Sequence, residues 1–240
     1  MTEWFEQWFG EEYHTLYPHR DSEDARRAVA LVQRIAQWTH GGQVLDLACG
    51  AGRHAAEFEH AGARVVGLDL SAAMLHRARS RTRLPLVRGD MRRLPFRPGS
   101  FEVAVNLFTS FGYFRDDSEH SLVVRQVAEA LVRGGRFVLD YLNADQVRRT
   151  VRGVAEEIPE SSDAVRVRRR LSEEGRYVVK EIEMRDEGRS FQERVRLYTM
   201  EDLTALLEGS GFRVVERFGD YDGRPFTTDS PRAILLGART

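Results

Sequence analysis

The reading of this chain turns on VLDLACGAGR, residues 44–53. Apolar residues around one carboxylate, Asp46, read as a buried strand, and Gly50-x-Gly52 with a helical pattern directly behind it reads as a tight strand-to-helix turn. Glycines in such a turn let the chain bend sharply and let a ligand lie against bare backbone at a helix N-terminus. The spacing fits a Gly-x-Gly-x-x-Ala dinucleotide fingerprint and equally an ordinary turn, so the segment alone leaves the ligand open.

Outward from that turn, short apolar strands alternate with helices. A helix is expected near 53–61, strands near 64–69, 85–89, 101–107 and 135–141, and helices near 71–80 and 118–132. This alternation predicts an α/β fold with a doubly wound, mostly parallel sheet, Rossmann-like in type. Several of the strands end on a polar group. Asp69 closes VVGLDLS (65–71), 19 residues after Gly50, where a carboxylate can accept both hydroxyls of a ribose. Asp90 follows LVRG in LVRGDMRRLPF (86–96), and Asn106 closes the strand in FEVAVNLFTSFGYF (101–114). With Asp46, four strands then deliver polar groups to the edge where open α/β sheets bind ligands. Helix N-capping is the plain alternative for each, above all for Asp69 before Ser71.

The flanks read differently. Trp4, Phe5, Trp8 and Phe9 share one face of an N-terminal helix, Pro18 interrupts, and Asp21 or Ser22 caps a second helix reaching Trp38, with Ala25, Val29, Val32, Ile35 and Ala36 buried. Residues 142–162 break the alternation. An antiparallel meander follows, with strands over Val165 and Val167, Tyr177–Met184 and Phe191–Tyr198 and turns at 173–175 and 186–188. A helix near 200–209, ended by Gly211, and strands near 212–219 and 232–239 close the chain. The domains expected are an N-terminal helical cap (1–40), a ligand-binding domain (41–141 with 199–240) and an antiparallel lid insertion (142–198).

The 240 residues carry 36 basic and 37 acidic side chains, which makes no electrostatic case for nucleic acid or an anionic membrane. No stretch approaches the ~18 apolar residues of a membrane span, and the acids near the start do not suit a signal peptide. Cys49 is the only cysteine, which suits a reducing cytoplasm, the expected location, and no spacing suggests a metal site. Lys180 is the only lysine among the basic residues, a bias toward arginine that reads as coding composition.

With these residues in view, the chain resembles the class I S-adenosylmethionine-dependent methyltransferases. DLACGAG looks like the family's first motif, the Asp69 and Asp90 segments match its second and third, and LVRGGRFVLD (131–140) is similar to its helix–Gly-Gly–strand element. The resemblance implies a seven-stranded sheet whose final strand runs antiparallel between its neighbours. It implies S-adenosylmethionine as cofactor and in-line transfer of the sulfonium methyl to a nucleophilic N, O or C of the acceptor. A small-molecule acceptor is expected because the cap and lid would enclose the site and no basic tract appears outside the meander, and no metal is expected. Asp46, Ala48, Gly50 and Gly52 would surround the methionine part. Asp69 would hold the ribose with Leu70 against adenine, Asp90 would accept from the adenine amino group beside Met91, and Asn106 and Leu107 would line the sulfonium end. Tyr13, Tyr17 and Arg20 would lie in the segment that folds over the cofactor, Arg20 either pairing its carboxylate or standing as a solvated charge at a helix end. Arg53, where many members carry a small residue, must point away or meet that carboxylate.

No residue identifies itself as a catalytic base, although His14 and His54 stand nearest the site. Phe108, Phe111, Tyr113 and Phe114 read as pocket wall or as packing under the next helix. The N-terminal aromatics read as a lid or as a homodimer interface. Arg166 to Arg170 reads first as a solvated sheet face and second as a surface for an acidic partner. An NAD-dependent oxidoreductase and a non-catalytic adenosyl-binding protein are the competing functions.

Overall fold

The computed structural model describes residues 3–9, 22–39, 41–151, 156–158, 165–184 and 188–240. Helices α1 (Trp4–Trp8) and α2 (Ser22–Ala36) precede the alternating region. That region runs β1 (Gln43–Leu47), α3 (Arg53–His60), β2 (Arg64–Asp69), α4 (Ala72–Arg81), β3 (Leu86–Arg88), β4 (Phe101–Asn106), α5 (Asp117–Ala130) and β5 (Leu131–Leu142). Next come α6 (Ala144–Thr150), β6 (Glu156–Ile158), β7 (Val165–Leu171), β8 (Tyr177–Met184) and β9 (Arg189–Arg196). Helix α7 (Met200–Glu208) and strands β10 (Phe212–Phe218) and β11 (Arg232–Arg239) complete the chain.

The main sheet has seven strands in the order β10-β11-β5-β4-β1-β2-β3. Neighbours from β5 to β3 pair in parallel, whereas β11 is antiparallel to both β5 and β10. This is the Rossmann-like sheet that the alternation predicts, with the late antiparallel strand that the resemblance implies. Apolar clusters fill both faces. One joins α5 and α7 through Val124, Val127, Leu203 and Leu207, and the other joins α2 and α3 through Val29, Val32 and Phe58. Burial on both sides explains why β1 and β4 read as near-continuous apolar runs. The sheet order reverses between β1 and β4, so the crevice at their carboxyl ends is where the fold admits a ligand.

Several boundaries differ from the sequence reading. Helix α5 stops at Ala130 and β5 starts at Leu131 with no loop between them. Gly134 (φ 74°) falls inside that strand, and the register against β4 shifts between Phe101 and Val103. Residues expected to break the pattern after 142 instead form α6, capped by Asn143, whose side chain accepts from the Asp145 N–H. They also form β6, so the antiparallel sheet has four strands, ordered β6-β7-β8-β9. Strand β9 ends at Arg196 and not Tyr198, because Thr199 and Asp202 form a capping box for α7. That helix ends at Gly209, and Gly211 (φ 94°) turns the chain into β10. Asp21, Tyr17, Pro18 and the 186–187 part of the second turn lie outside the described residues. No described helix is long and apolar enough to cross a membrane.

Helix α1 wedges between the two sheets. Phe5 meets Phe114 edge-on at 5.7 Å on the main-sheet side. Trp8 is buried with Val167 and Ile182 under the antiparallel sheet, and its indole N–H donates to Glu193 Oε1 at 2.5 Å. The helix is held from behind as well, since the Ser71 hydroxyl donates to the Phe9 carbonyl at 2.6 Å.

Candidate functional site

A cavity of about 720 Å³ opens at the carboxyl ends of β1, β2, β3 and β4. That volume lies within the roughly 300–1,000 Å³ range of small-molecule sites. Ala48, Gly50, Asp69, Leu70, Asp90, Met91 and Leu107 all line it, as do Phe5 and Phe9 of the N-terminal segment. Seven of the expected contact residues, drawn from four strand ends, therefore share one wall.

The two glycines of the motif do different work. Gly50 (φ 54°) has no atom within 4 Å of where a Cβ would stand, so its bare face looks into open space. Gly52 (φ 76°) does not line the cavity; a Cβ there would come within 3.0 Å of the Ala78 side chain, so this glycine lets α3 pack on α4. Asp69 organises the loop. Its Oδ2 accepts the Gly50 N–H and its Oδ1 the Ser71 N–H, each at 2.8 Å. Burial pushes the Asp69 carboxyl above its ordinary value, and those backbone amides pull against the shift. The helix cap is Ser71, whose side chain accepts from the Met74 N–H, so the capping alternative for Asp69 does not hold.

Two expected contacts sit beneath the cavity wall and do not line it. Asp46 is buried in β1 and takes a hydrogen bond from the Ala55 N–H, while its Oδ2 has no partner. Burial and the neighbouring Asp69 charge push its carboxyl up to about 7. Asn106 is fully buried and clips β4 to β1, its Nδ2 donating to the Leu47 carbonyl at 3.0 Å and the Ser110 carbonyl at 3.3 Å. At these positions the polar group supports the loop from behind, because the strand interior turns the side chain away from the crevice.

Asp90 lines the cavity but is already engaged. Arg92 wraps it through Nε and Nη2, the latter at 2.6 Å, and reaches Glu119 with Nη1 at 2.6 Å. Burial works to raise the Asp90 carboxyl, but the Arg92 guanidinium outweighs it and holds the group below the usual range. Phe108, Tyr113 and Phe114 line the cavity, whereas Phe111 is buried in the core. Arg53 also lines it, its guanidinium 4.3 Å above the Phe108 ring. His54 borders the cavity with an unpartnered, buried Nε2, and burial pushes the imidazole down to about 3, so it stays neutral near pH 7. Cys49 packs against Gly67, where a Cβ would come within 2.8 Å of its Sγ. Tyr13, His14 and Arg20 lie outside the described residues.

One group has no place in the sequence reading. Asp140, fully buried near the end of β5, accepts from the Phe108 N–H and the Tyr221 hydroxyl, both at 2.7 Å, and pairs with Arg232 Nε at 2.7 Å. It braces two consecutive left-handed residues, Phe108 (φ 60°) and Thr109 (φ 61°), at the cavity rim. The argument that singles out Asp46, a carboxylate inside an apolar strand, applies equally to Asp140 in FVLD. Among the described residues, no group of three or more His, Cys, Asp or Glu is placed to hold a metal.

Comparison with known proteins agrees with this geometry. Residues 44–135 match the model of a methyltransferase domain. Over 159 residues the chain is 35% identical to the dTDP-3-amino-3,4,6-trideoxy-alpha-D-glucopyranose N,N-dimethyltransferase of Streptomyces venezuelae, covering 60% of this chain and 65% of that protein. In three curated relatives the matched region spans 65%, 41% and 64% of their length. The structure of the CcbJ methyltransferase from Streptomyces caelestis superposes with a TM-score of 0.80 at 22% identity, over 97% of this chain and 98% of that one. The sugar N-methyltransferase KedS8 from Streptoalloteichus superposes with a TM-score of 0.69 at 26% identity, over 96% and 93%. The fold thus coincides with that of solved methyltransferases, and residues 44–135 are similar to a methyltransferase domain.

Proposed function

We propose that the protein transfers the methyl group of S-adenosylmethionine to an amine-bearing small molecule. The observation that carries this reading is the bare face of Gly50, open to the cavity and tied by its own N–H to Asp69. A ligand can lie against that backbone, and the Asp69 carboxylate, which lines the same cavity, can accept from its ribose hydroxyls. The residues present fit the cofactor. Leu70 and Met91 offer apolar contact to adenine, Asp90 is fixed by Arg92 for the adenine amino group, and Ala48 and Leu107 flank the methionine end. Asp46, Gly52 and Asn106 support this wall from behind.

The bound cofactor supplies a methyl group already activated by positive charge on sulfur. The chain's own task is then proximity, alignment and exclusion of water. Phe5, Phe9, Tyr113 and Phe114 form an aromatic side to the cavity suited to that exclusion. An amine acceptor is supported by two relatives named as N-methyltransferases of sugars. Calorimetry with S-adenosylhomocysteine and with NAD tests the cofactor, and product release measured over a panel of amine-bearing metabolites tests the acceptor. Binding of NAD without binding of S-adenosylhomocysteine overturns the reading.

A further inference from the structure

The antiparallel sheet carries a charged row where its inner face should be apolar. Strand register aligns Val167, Ile182 and Phe191 in one row, buried around Trp8. Four residues along, Leu171, Val178 and Val195 form a second apolar row, packed near Leu142 and Val147. Between them stand Arg169, Lys180 and Glu193, directly opposite one another on β7, β8 and β9. All three line a separate cavity of about 220 Å³, across from Arg232. Phe9, Phe108 and Tyr113 border both this cavity and the large one, so the two spaces share an aromatic wall.

Like charges directly opposite each other on neighbouring strands destabilise a sheet. Arg169 and Lys180 are such a pair. Glu193 flanks Lys180 on β9 and takes the Trp8 indole N–H, and Glu156 of β6 is the register partner of Arg169. The row therefore presents two adjacent bases, Arg169 and Lys180, with Glu193 beside Lys180. Lys180 adds an independent observation. In a chain whose other basic residues are all arginine, the single lysine stands in this row. Its compact ammonium, with three donors on a flexible stem, can turn toward an oxyanion where a planar guanidinium beside Arg169 would crowd. The arginines at 166, 168 and 170 alternate to the other face, where Arg170 pairs with Glu181 at 3.1 Å.

We propose that the cavity beneath the antiparallel sheet anchors the methyl acceptor, and that Arg169 and Lys180 together bind an oxyanion, phosphate or carboxylate, carried by it. This rests on the methyltransferase reading above. The large cavity holds the methyl donor, the shared aromatic wall separates donor from anchor, and the acceptor's nucleophile reaches past that wall. At about 220 Å³ the anchor accommodates one substituent and not a whole acceptor, whose site is typically roughly 300–1,000 Å³.

Because Lys180 is the only lysine, an amine-acetylating N-hydroxysuccinimide ester labels the chain at this side chain and at the α-amine, and peptide mass spectrometry reads each rate separately. Labelling is followed in inorganic phosphate, pyrophosphate and acetate against sodium chloride of matched ionic strength. At ten times the dissociation constant of a probe, labelling of Lys180 slows about tenfold by mass action while the α-amine is unchanged. Protection by phosphate or pyrophosphate alone identifies a phosphate-bearing acceptor, and protection by acetate alone a carboxylate. Equal Lys180 rates in all four salts overturn the proposal, as does protection that survives Arg169→Gln undiminished in a variant of unchanged melting. Calorimetry with S-adenosylhomocysteine on the same protein keeps the two readings apart. Binding without Lys180 protection sinks only the anchor, and no binding sinks the methyltransferase reading whatever the anions do.

Discussion

The two sheets that meet at helix α1 build their surfaces by opposite means. The wall of the large cavity is made from backbone: an open glycine, left-handed residues and buried carboxylates whose oxygens take main-chain amides. The face of the antiparallel sheet is made from side chains, one charged row between two apolar ones. A backbone-built site tolerates few changes, because each polar group holds loop geometry as well as ligand. A side-chain row can change its specificity one residue at a time while the ladder of main-chain hydrogen bonds stays intact.

The largest effect expected from this contrast is at Asp140. Asp140→Ala leaves Arg232 without its buried partner and the Phe108 N–H and Tyr221 hydroxyl without their acceptor. Breaking a buried pair from one side costs about 3–5 kcal/mol. Urea denaturation should show a loss of that order; a loss under about 1 kcal/mol would mean that the rim is held by other contacts.

Next comes Asp69. Asp69→Ala removes the acceptor of two backbone amides and, on the proposed function, of the ribose hydroxyls. S-adenosylhomocysteine affinity should fall roughly tenfold to a few hundredfold in calorimetry, with a stability loss of about 1–3 kcal/mol. Asp69→Asn should not restore binding, since its amide NH2 faces a main-chain donor. Full affinity in Asp69→Asn would remove the carboxylate from the site.

Asp46 should make stability depend on pH. Its carboxyl is raised by burial from 3.8 to about 7, so the folded state holds a proton that the unfolded chain releases. The stabilisation is fully present below pH ~4 and is lost as pH rises toward 7, with a slope of at most about 1.4 kcal/mol per pH unit. His54 works in the other sense. Lowered from 6.5 to about 3, it withdraws stability as pH falls through that window. Asp46→Asn should flatten the decline between pH 5 and 7 in denaturation curves. An unchanged slope would mean that Asp46 is ionised throughout.

The smallest effect is on the outer face of the antiparallel sheet. Arg170→Gln breaks only the exposed pair with Glu181, worth about 0–1 kcal/mol, and should leave melting and ligand binding as they are. An effect on acceptor binding larger than that of Arg169→Gln would reverse the assignment of faces.

The order of strands and helices from 43 to 142 was legible because strands buried on both faces must be apolar runs and the helices between them must be amphipathic. The cavity wall was legible wherever a polar residue ends a strand, as at Asp69, for there the chain itself dictates that the side chain leaves the core. Asp46 and Asn106 carry the same signal but lie where the strand turns them inward, and their sequence neighbours do not reveal that direction. Asp140 passed unread because its partners, Tyr221 and Arg232, are 81 and 92 residues away. By itself, then, the sequence determined the fold class, the glycine turn and the resemblance to methyltransferases, all written in local spacing. Only the tertiary structure decided which glycine faces the cavity, which carboxylates brace and which line it, and that Arg169, Lys180 and Glu193 stand in one row. Pairing register and packing between distant segments set those outcomes, and neither is encoded within any single stretch of chain.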